Sequence, residues 1–213
     1  AGGLTVWARM GMGLLLGVGV SGIVQARTLL LRRQQLALEQ QVLVRTQALE
    51  AASRALEDAA TSDPLTGLRN RRFLTERLDE DARLSMRQHE EAQRQGRAAL
   101  ESDLCFFMID VDHFKQVNDQ HGHAAGDAVL VQMRERLREV FRDSDYLVRW
   151  GGEEFLVVAR ASDRAMASEL AERARRAVGN RPFDLGQGRM LVRTCSIGFA
   201  CFPLLPHNVR ATG

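Results

Sequence analysis

The chain contains 213 residues, of which 45% are hydrophobic and 26% charged, enough for one large or two small domains with a sizeable core. Its formal net charge of only +2 argues against a broad surface for nucleic acids, so no nucleic-acid partner is expected. The three cysteines lie in apolar, strand-like stretches, and their odd number favours buried thiols in a reducing compartment over a disulfide framework.

The N-terminal segment is the most apolar part of the chain. Residues 10–26 carry no charge and, with the apolar residues before them, reach the roughly 20 residues that cross a bilayer. Gly13 and Gly17 form a GxxxG pattern that lets two such helices approach closely. Three arginines between residues 27 and 33 place this end in the cytoplasm. We therefore predict a truncated transmembrane helix over 1–26 in the inner (cytoplasmic) membrane; a cleaved signal peptide and a buried soluble helix are the alternatives.

A helical linker is predicted over residues 27–62. It contains no Gly or Pro between residues 28 and 60, and its apolar positions recur at alternating steps of four and three residues, with polar interruptions. This pattern indicates a parallel coiled coil that transmits a signal between two chains. The alternative is a single amphipathic helix packed on the following domain. The seam consists of Leu31, Gln35, Leu38, Val42, Arg45, Leu49, Ala52, Leu56 and Ala59.

The remaining residues, 63–213, are predicted to form one domain. A first helix is expected over 65–84, followed at 85–102 by a charged helix extension or exposed insertion. Residues 104–109 are continuous apolar sequence, typical of a strand buried on both faces, and lead directly into Asp110 and Asp112. Carboxylates at the end of a buried strand are costly unless they are paired or bind a metal. The alternative is a strand that ends in solvated aspartates.

A polar stretch then connects this strand to a helix predicted from residue 128. Lys115 can supply a positive charge to a phosphate, and Asn118 with Asp127 offers the donors and acceptors that a purine edge requires. Asp127 could instead be the N-cap of the helix. His121 and His123, without cysteines at ligand spacing, are weak evidence for zinc.

Two strands and a glycine turn are predicted around residue 151. Residues 146–150 and 155–159 are strand-like, and the Gly151-Gly152 pair between them indicates a tight hairpin with positive φ. The turn also carries Glu153 and Glu154, adjacent like charges that a Mg²⁺ ion would relieve, while the missing β-carbons would let a phosphate approach the backbone. An exposed acidic turn is the alternative. A helix at 162–178, a turn at 186–188 and one or two paired strands at 190–202 complete the domain.

Four motifs, taken together, resemble the GGDEF family of diguanylate cyclases. They occur in the family's order and approximate spacing within residues 61–202. The resemblance implies an α/β (α+β) fold like the palm domains of polymerases and nucleotidyl cyclases, with a central, mainly antiparallel sheet covered by helices. It also implies condensation of two GTP molecules to cyclic di-GMP, with release of two pyrophosphates, by a homodimer. The motifs are DPLTGLRNRR (63–72), DVDHFKQVND (110–119), Gly122-His123 with Gly126-Asp127, and GGEEF (151–155).

The resemblance also assigns roles to residues at matching positions. Metal ligands for Mg²⁺ (or Mn²⁺) fall on Asp110, the carbonyl of Val111, and Glu153. Glu153 or Glu154 would help to deprotonate the attacking 3′-hydroxyl, and Lys115 would stabilise the transition state. The substrate-binding set is Asn118, His123, Asp127, Gly151 and Gly152.

A second site implied by the resemblance is an inhibitory product site of the RxxD type. Arg142 and Asp145 match that pattern, and Arg173 matches a secondary arginine on the next helix. The planar guanidinium suits both phosphate and the guanine Hoogsteen edge. The alternative is an ordinary ion pair at a helix end.

The ends of the chain indicate a fragment of a membrane-anchored sensor. The first residue is alanine, and residues 203–213 stand where the family continues with a helix that carries phosphate-binding residues. The expected function is a diguanylate cyclase regulated by an N-terminal sensor and by its product. The alternative is a non-catalytic module that binds cyclic di-GMP or GTP, inactive as a truncated fragment.

Overall fold

The computed structural model describes residues 3–97, 99 and 101–204. The described helices are α1 (Gly3–Thr61), α2 (Arg71–Arg94), α3 (Phe114–His121), α4 (His123–Arg138) and α5 (Ala167–Gly179), and a 3₁₀ turn spans Arg164–Met166. The described strands are β1 (Arg69–Asn70), β2 (Asp103–Val111), β3 (Tyr146–Arg149), β4 (Glu154–Ser162), β5 (Phe183–Asp184), β6 (Met190–Leu191) and β7 (Cys195–Phe202).

The chain divides into two units, Ala1–Leu56 and Glu57–Gly213. In the first unit, apolar side chains of the predicted coiled-coil seam are exposed, with Leu38 at 61% and Leu49 at 71%. A single chain offers them no partner helix, so the coiled coil stays a prediction. Of the helices in the described part, none is both long and apolar enough to span a bilayer. A transmembrane helix was predicted over residues 1–26, but the structure does not describe the side chains of most of these residues. The structure therefore gives this prediction no support.

The second unit is built on a five-stranded sheet in the order β1-β3-β4-β2-β7, beside a separate hairpin of β5 and β6. Within the five-stranded sheet, β1 and β3 are parallel and the other three pairings are antiparallel. The predicted central, mainly antiparallel sheet is confirmed. Because β2 lies between β4 and β7, its last residues are flanked by a strand on either side.

Two apolar layers hold the sheet between helices. On one face, Phe107 and Ile109 of β2 are fully buried in a cluster with Val129 and Met133 of α4 and with residues of α5. On the other face, a smaller cluster joins Leu74 of α2 to strands β2, β3 and β4. Burial of each such side chain contributes about 1.5–3 kcal/mol. The expectation that β2 is buried on both faces is confirmed for one face only, because on the other face Leu104 is buried, Phe106 is half-buried and Met108 is 37% exposed.

Several predicted helix boundaries were wrong. The first domain helix begins at Arg71 rather than at residue 65, because Gly67 has φ +66° and Asn70 caps α2 by accepting a hydrogen bond from Phe73 N. The helix continues to Arg94, so most of the charged insertion is a helix extension. The helix predicted from residue 128 is α4, which begins at His123 after α3, a short helix that was not predicted. This start places Asp127 inside α4 and rules out its alternative role as N-cap.

The C-terminal strands differ from the sequence expectation in their pairing. Residues 190–202 contain two strands, but β6 pairs with β5 and β7 pairs with β2, so they do not pair with each other. The helix predicted from residue 162 begins instead at Ala167, because Ser162 ends β4 and Asp163 caps the 3₁₀ turn through Ala165 N.

The cysteines are free thiols, as predicted. Burial raises the pKa of Cys105 far above its ordinary value and that of Cys195 to about 12, which keeps both protonated. Cys105 lies opposite Cys201 in the β2–β7 ladder, with 3.2 Å between the two sulfur atoms.

Candidate active site

The structure brings two acidic strand ends together. Asp110 is the second-last residue of β2 and lies opposite Glu154, the first residue of β4, in the antiparallel register. Burial raises the pKa of the Asp110 carboxyl, and the negative charges of Glu154 and Asp112 raise it further. Like charges held this close make a site that a cation would stabilise.

The main chain next to Asp110 is fixed by the edge strand. Asp112 N donates a hydrogen bond to Thr194 O, at 3.0 Å, on the β7 side. The peptide between Val111 and Asp112 is planar and trans, so its carbonyl points away from its N–H. The Val111 carbonyl therefore points towards β4, where Glu153 lies in the turn directly before Glu154. This is the orientation that the predicted Val111 ligand role requires.

Asp112 itself is held by the hydroxyl groups of Thr194, just before β7, and of Ser196 in β7. Thr194 Oγ1 donates to one carboxylate oxygen and Ser196 Oγ donates to the other, at 2.7 Å. The hydrogen bond from Thr194 lowers the pKa of Asp112, burial opposes that effect, and the bond from Ser196 reinforces it. Asp112 thus keeps its negative charge to lower pH than an ordinary aspartate and adds to the negative charge near Asp110.

The glycines of the hairpin matter because they lack a side chain, and not because their backbone has a positive φ. The hairpin itself is confirmed, but the positive-φ glycines in the described part do not include Gly151 or Gly152, so that expectation was wrong. A β-carbon on Gly151 would lie 2.7 Å from Glu154 Oε2, whereas nothing lies within 4 Å of a β-carbon on Gly152. Gly151 makes room for the Glu154 carboxylate, and Gly152 leaves the exposed backbone open to an approaching ligand.

An arginine outside the predicted site holds this turn. Arg149 donates to Gly152 O from Nε and Nη2, at 3.2 and 2.9 Å. Its Nη1 lies 3.1 Å from both carboxylate oxygens of Asp63, in a pair whose side chains are only 17% and 15% exposed. Burial would raise the pKa of Asp63, but hydrogen bonds from Thr66 and Arg149 outweigh it and lower the pKa.

The predicted base-reading residues meet at the corner between α3 and α4. A β-carbon on Gly126 would lie 2.1 Å from Asn118 Oδ1, so the Asn118 amide covers this glycine, directly before Asp127. Asp127 is exposed on α4, as are Lys115 on α3 and His123 at the start of α4. A side chain at position 126 would collide with the Asn118 amide, so glycine is needed for Asn118 to keep this position.

The predicted product site lines a cavity of about 590 Å³ in the second unit. Asp145 accepts hydrogen bonds from Arg142 N, at 2.9 Å, and from Arg160 N, at 3.1 Å, so it closes a main-chain turn. The alternative of a side-chain ion pair between Arg142 and Asp145 is not what the structure shows. Arg138, Arg142 and Arg160 line the cavity, whereas Arg173 is exposed on α5 and is not among the residues that line it.

The donor set at the acidic strand ends fits a hard divalent cation. Carboxylates and a main-chain carbonyl are oxygen ligands, and Mg²⁺ is usually bound by one or two carboxylates together with substrate phosphates. Within the residues that the structure describes, no group of three or more His, Cys, Asp or Glu side chains is close enough to hold a metal alone. The register that sets Asp110 opposite Glu154 is the observation that favours a cation, and a phosphate ligand would complete its coordination.

Comparison with known families identifies this arrangement. Residues 60–211 match the family described as diguanylate cyclase, GGDEF domain. The chain belongs to the GGDEF family.

Two curated relatives illustrate the sequence similarity of this chain to the GGDEF family. Diguanylate cyclase DgcP of Pseudomonas aeruginosa is 38% identical over 185 residues, covering 80% of this chain and 26% of DgcP. Response regulator PleD of Caulobacter vibrioides is 40% identical over 143 residues, covering 66% of this chain and 29% of PleD. The chain thus spans little more than a quarter of the length of either relative.

Solved GGDEF structures resemble the fold. The coiled coil and GGDEF domain of DgcB from Caulobacter crescentus, in complex with c-di-GMP, matches with a TM-score of 0.57 and 28% identity, covering 77% of this chain and 82% of that one. Diguanylate cyclase SiaD from Pseudomonas aeruginosa, in complex with its activator SiaC, matches with a TM-score of 0.55 and 31% identity, covering 93% and 77%. The palm-like fold expected from the motifs is confirmed.

Sequence reasoning missed the residues that support the GGDEF site. Arg149 and Asp63 are 86 positions apart, and Thr194 and Ser196 are more than 80 positions from Asp112. Thr194 and Ser196 flank the buried Cys195, but no local sequence pattern indicates that Asp112 is the partner of their hydroxyls.

Proposed function

We propose that the chain condenses two GTP molecules into cyclic di-GMP and releases two pyrophosphates. The observation that carries the proposal is the placement of Asp110 opposite Glu154, with the Val111 carbonyl directed to the same side. Family membership and the identities to DgcP and PleD support it.

The reaction requires two half-sites. Each 3′-oxygen attacks the α-phosphorus of the other nucleotide, so one chain with one GTP cannot close the ring. A homodimer brings the half-sites face to face, and catalysis is then mainly positioning with electrostatic stabilisation. The exposed apolar side chains of α1, such as Leu38 and Leu49, would pair in a coiled coil that sets this geometry. The DgcB structure that resembles this chain also contains a coiled coil.

The acidic and basic residues of the site have separate roles in the proposed reaction. Asp110, the Val111 carbonyl and Glu153 would hold a divalent cation, Mg²⁺ or Mn²⁺, which neutralises charge on the triphosphate when bound. Glu154, beside Asp110, would accept the proton of the 3′-hydroxyl, alone or with Glu153. Lys115, exposed on α3, would supply positive charge to the phosphates.

In the proposed complex with GTP, Asn118 and Asp127 bind the guanine base, and His123 makes a further contact with the substrate. Gly126→Ala should raise the KM for GTP by about tenfold or more and reduce the preference for GTP over ATP, because the new β-carbon displaces the Asn118 amide. Steady-state kinetics with both nucleotides measures this. Gly198→Ala is the matched control, because nothing lies within 4 Å of a β-carbon at Gly198. An unchanged KM in Gly126→Ala would remove the Asn118 corner from the binding site.

The proposed site for inhibition by cyclic di-GMP is the cavity that Arg142 and Asp145 line. Arg142→Ala should raise the inhibitory concentration of cyclic di-GMP about tenfold or more, since a charged hydrogen bond contributes about 1.5 kcal/mol or more. Inhibition curves for Arg142→Ala, Arg173→Ala and the exposed control Arg176→Ala measure this and also test the secondary role of Arg173. Unchanged inhibition in Arg142→Ala would contradict the site.

Membrane attachment is a separate part of the proposal. The uncharged run at residues 10–26 and the arginines after it support an anchor in the inner membrane, with the cyclase domain in the cytoplasm. Retention of the full chain in alkali-washed membranes, compared with a chain that begins at residue 27, tests it.

The proposed function is tested by incubating the full chain with GTP and Mg²⁺ or Mn²⁺ and identifying the products by mass spectrometry. Cyclic di-GMP with two equivalents of pyrophosphate is the expected result. Binding of GTP without any cyclic product would contradict the proposal and favour a non-catalytic module.

A further inference from the structure

Asp112 stands at the point where the ladder between β2 and β7 ends. The last pair of the ladder is Val111 with Cys195, and the residue after Asp112, His113, has a left-handed φ of 58° as the chain turns into α3. A peptide between the end of a strand and a left-handed residue has few regular hydrogen bonds to fix its plane. Here three bonds do so.

These three bonds link Asp112 to Thr194, the residue just before β7, and to Ser196 within β7. The main-chain N–H donates to Thr194 O, and the two carboxylate oxygens accept from Thr194 Oγ1 and Ser196 Oγ. Both hydroxyls therefore reach the same carboxylate. Asp112 is thereby tied to the edge strand, while its neighbour Asp110 belongs to the acidic site.

We propose that Asp112 is a positioning residue, which, with Thr194 and Ser196, fixes the plane of the Val111–Asp112 peptide so that the Val111 carbonyl stays directed into the acidic site. Asp112 acts through this carbonyl and is not itself a ligand of the cation. The inference rests on the proposed function, in which the Val111 carbonyl is one of the cation's ligands. Groups that orient a metal ligand in this way typically change metal affinity or activity by about 10–100-fold when they are removed.

The test uses the full chain with both hydroxyls removed, Thr194→Val combined with Ser196→Ala, because this variant keeps Asp112. Hydrogen exchange at the Asp112 amide should become faster. The Mg²⁺ concentration that gives half-maximal binding of an α,β-methylene GTP analogue, measured by calorimetry, should rise by about tenfold. Ser162→Ala is the matched control, because this hydroxyl lies at the other end of the sheet and donates to Arg160 O, away from the acidic site. The control should change neither quantity.

The outcomes separate this inference from the proposed function. If the wild-type chain binds the analogue with a Mg²⁺ dependence that the double variant shares, Asp112 is only a structural tie and the inference is overturned. If the wild-type chain shows no Mg²⁺-dependent binding, the proposed function fails and the inference fails with it. If thermal unfolding shows that the double variant does not fold, Ser196→Ala alone is measured, and a Mg²⁺ dependence equal to that of the wild type overturns the inference.

Discussion

Replacement of Glu153 by glutamine should lower the rate of cyclic di-GMP synthesis by on the order of a hundredfold or more, the effect typical of removing one electrostatic partner of a transition state. The amide keeps the size of the side chain but removes the negative charge that would hold a cation beside Asp110. Because Glu153 lies in the turn and outside the apolar core, the fold should be preserved. Release of pyrophosphate from GTP, measured over a range of Mg²⁺ concentrations, gives the rate.

Two further variants make this result specific. Glu80→Gln changes an exposed glutamate on α2 in the same way and should leave the rate unchanged. Glu154→Gln removes a charge that raises the pKa of Asp110, so it tests whether the residue opposite Asp110 shares the role of Glu153. Near-normal turnover in Glu153→Gln, with a large loss in Glu154→Gln, would move the ligand role to Glu154.

The acidic strand ends could be predicted from sequence because their signals are local. An apolar run that ends in Asp110, and two strand-like runs around Gly151 and Gly152, are short patterns with direct structural meaning. The structure adds the register that joins them, Asp110 opposite Glu154. That register depends on which strands are neighbours in the sheet, and one sequence does not contain this information.

The roles of individual glycines were harder to predict. Gly151 and Gly152 suggested a turn with positive φ, yet neither has one, and the Glu154 carboxylate occupies the space beside Gly151. The sequence predicted no special role for Gly126, although the Asn118 amide leaves no room for a β-carbon there. In both cases the constraint comes from a side chain that folding brings close, and backbone propensity alone does not reveal it.

Long-range polar contacts could not be predicted at all. Asp63 begins a recognisable motif and Arg149 lies two residues before another, but the ion pair that joins them spans 86 positions. The pair connects the residues just after α1 to the Gly152 carbonyl of the active-site turn. A substitution at Arg149 therefore affects both the stability of the domain and the shape of the turn.

Replacement of Arg149 by alanine should destabilise the domain by about 3 kcal/mol, because it leaves the largely buried Asp63 carboxylate without its cation. It should also abolish most synthesis of cyclic di-GMP, since the Gly152 carbonyl loses both of its hydrogen bonds from the Arg149 guanidinium. Denaturant unfolding measures the first effect and pyrophosphate release the second. Arg72→Ala, which breaks the exposed pair with Glu76, is the control and should cost less than about 1 kcal/mol.

The double variant Asp63→Ala with Arg149→Ala separates the two effects of the Arg149 substitution. It removes the unpaired carboxylate, so part of the lost stability should return. Synthesis should stay low, because the Gly152 carbonyl still has no arginine donor and the turn that carries Glu153 is still unsupported. Recovery of synthesis in parallel with stability would show that Arg149 only stabilises the fold. Low synthesis in a variant of restored stability would instead establish that Arg149 shapes the turn through which Glu153 acts.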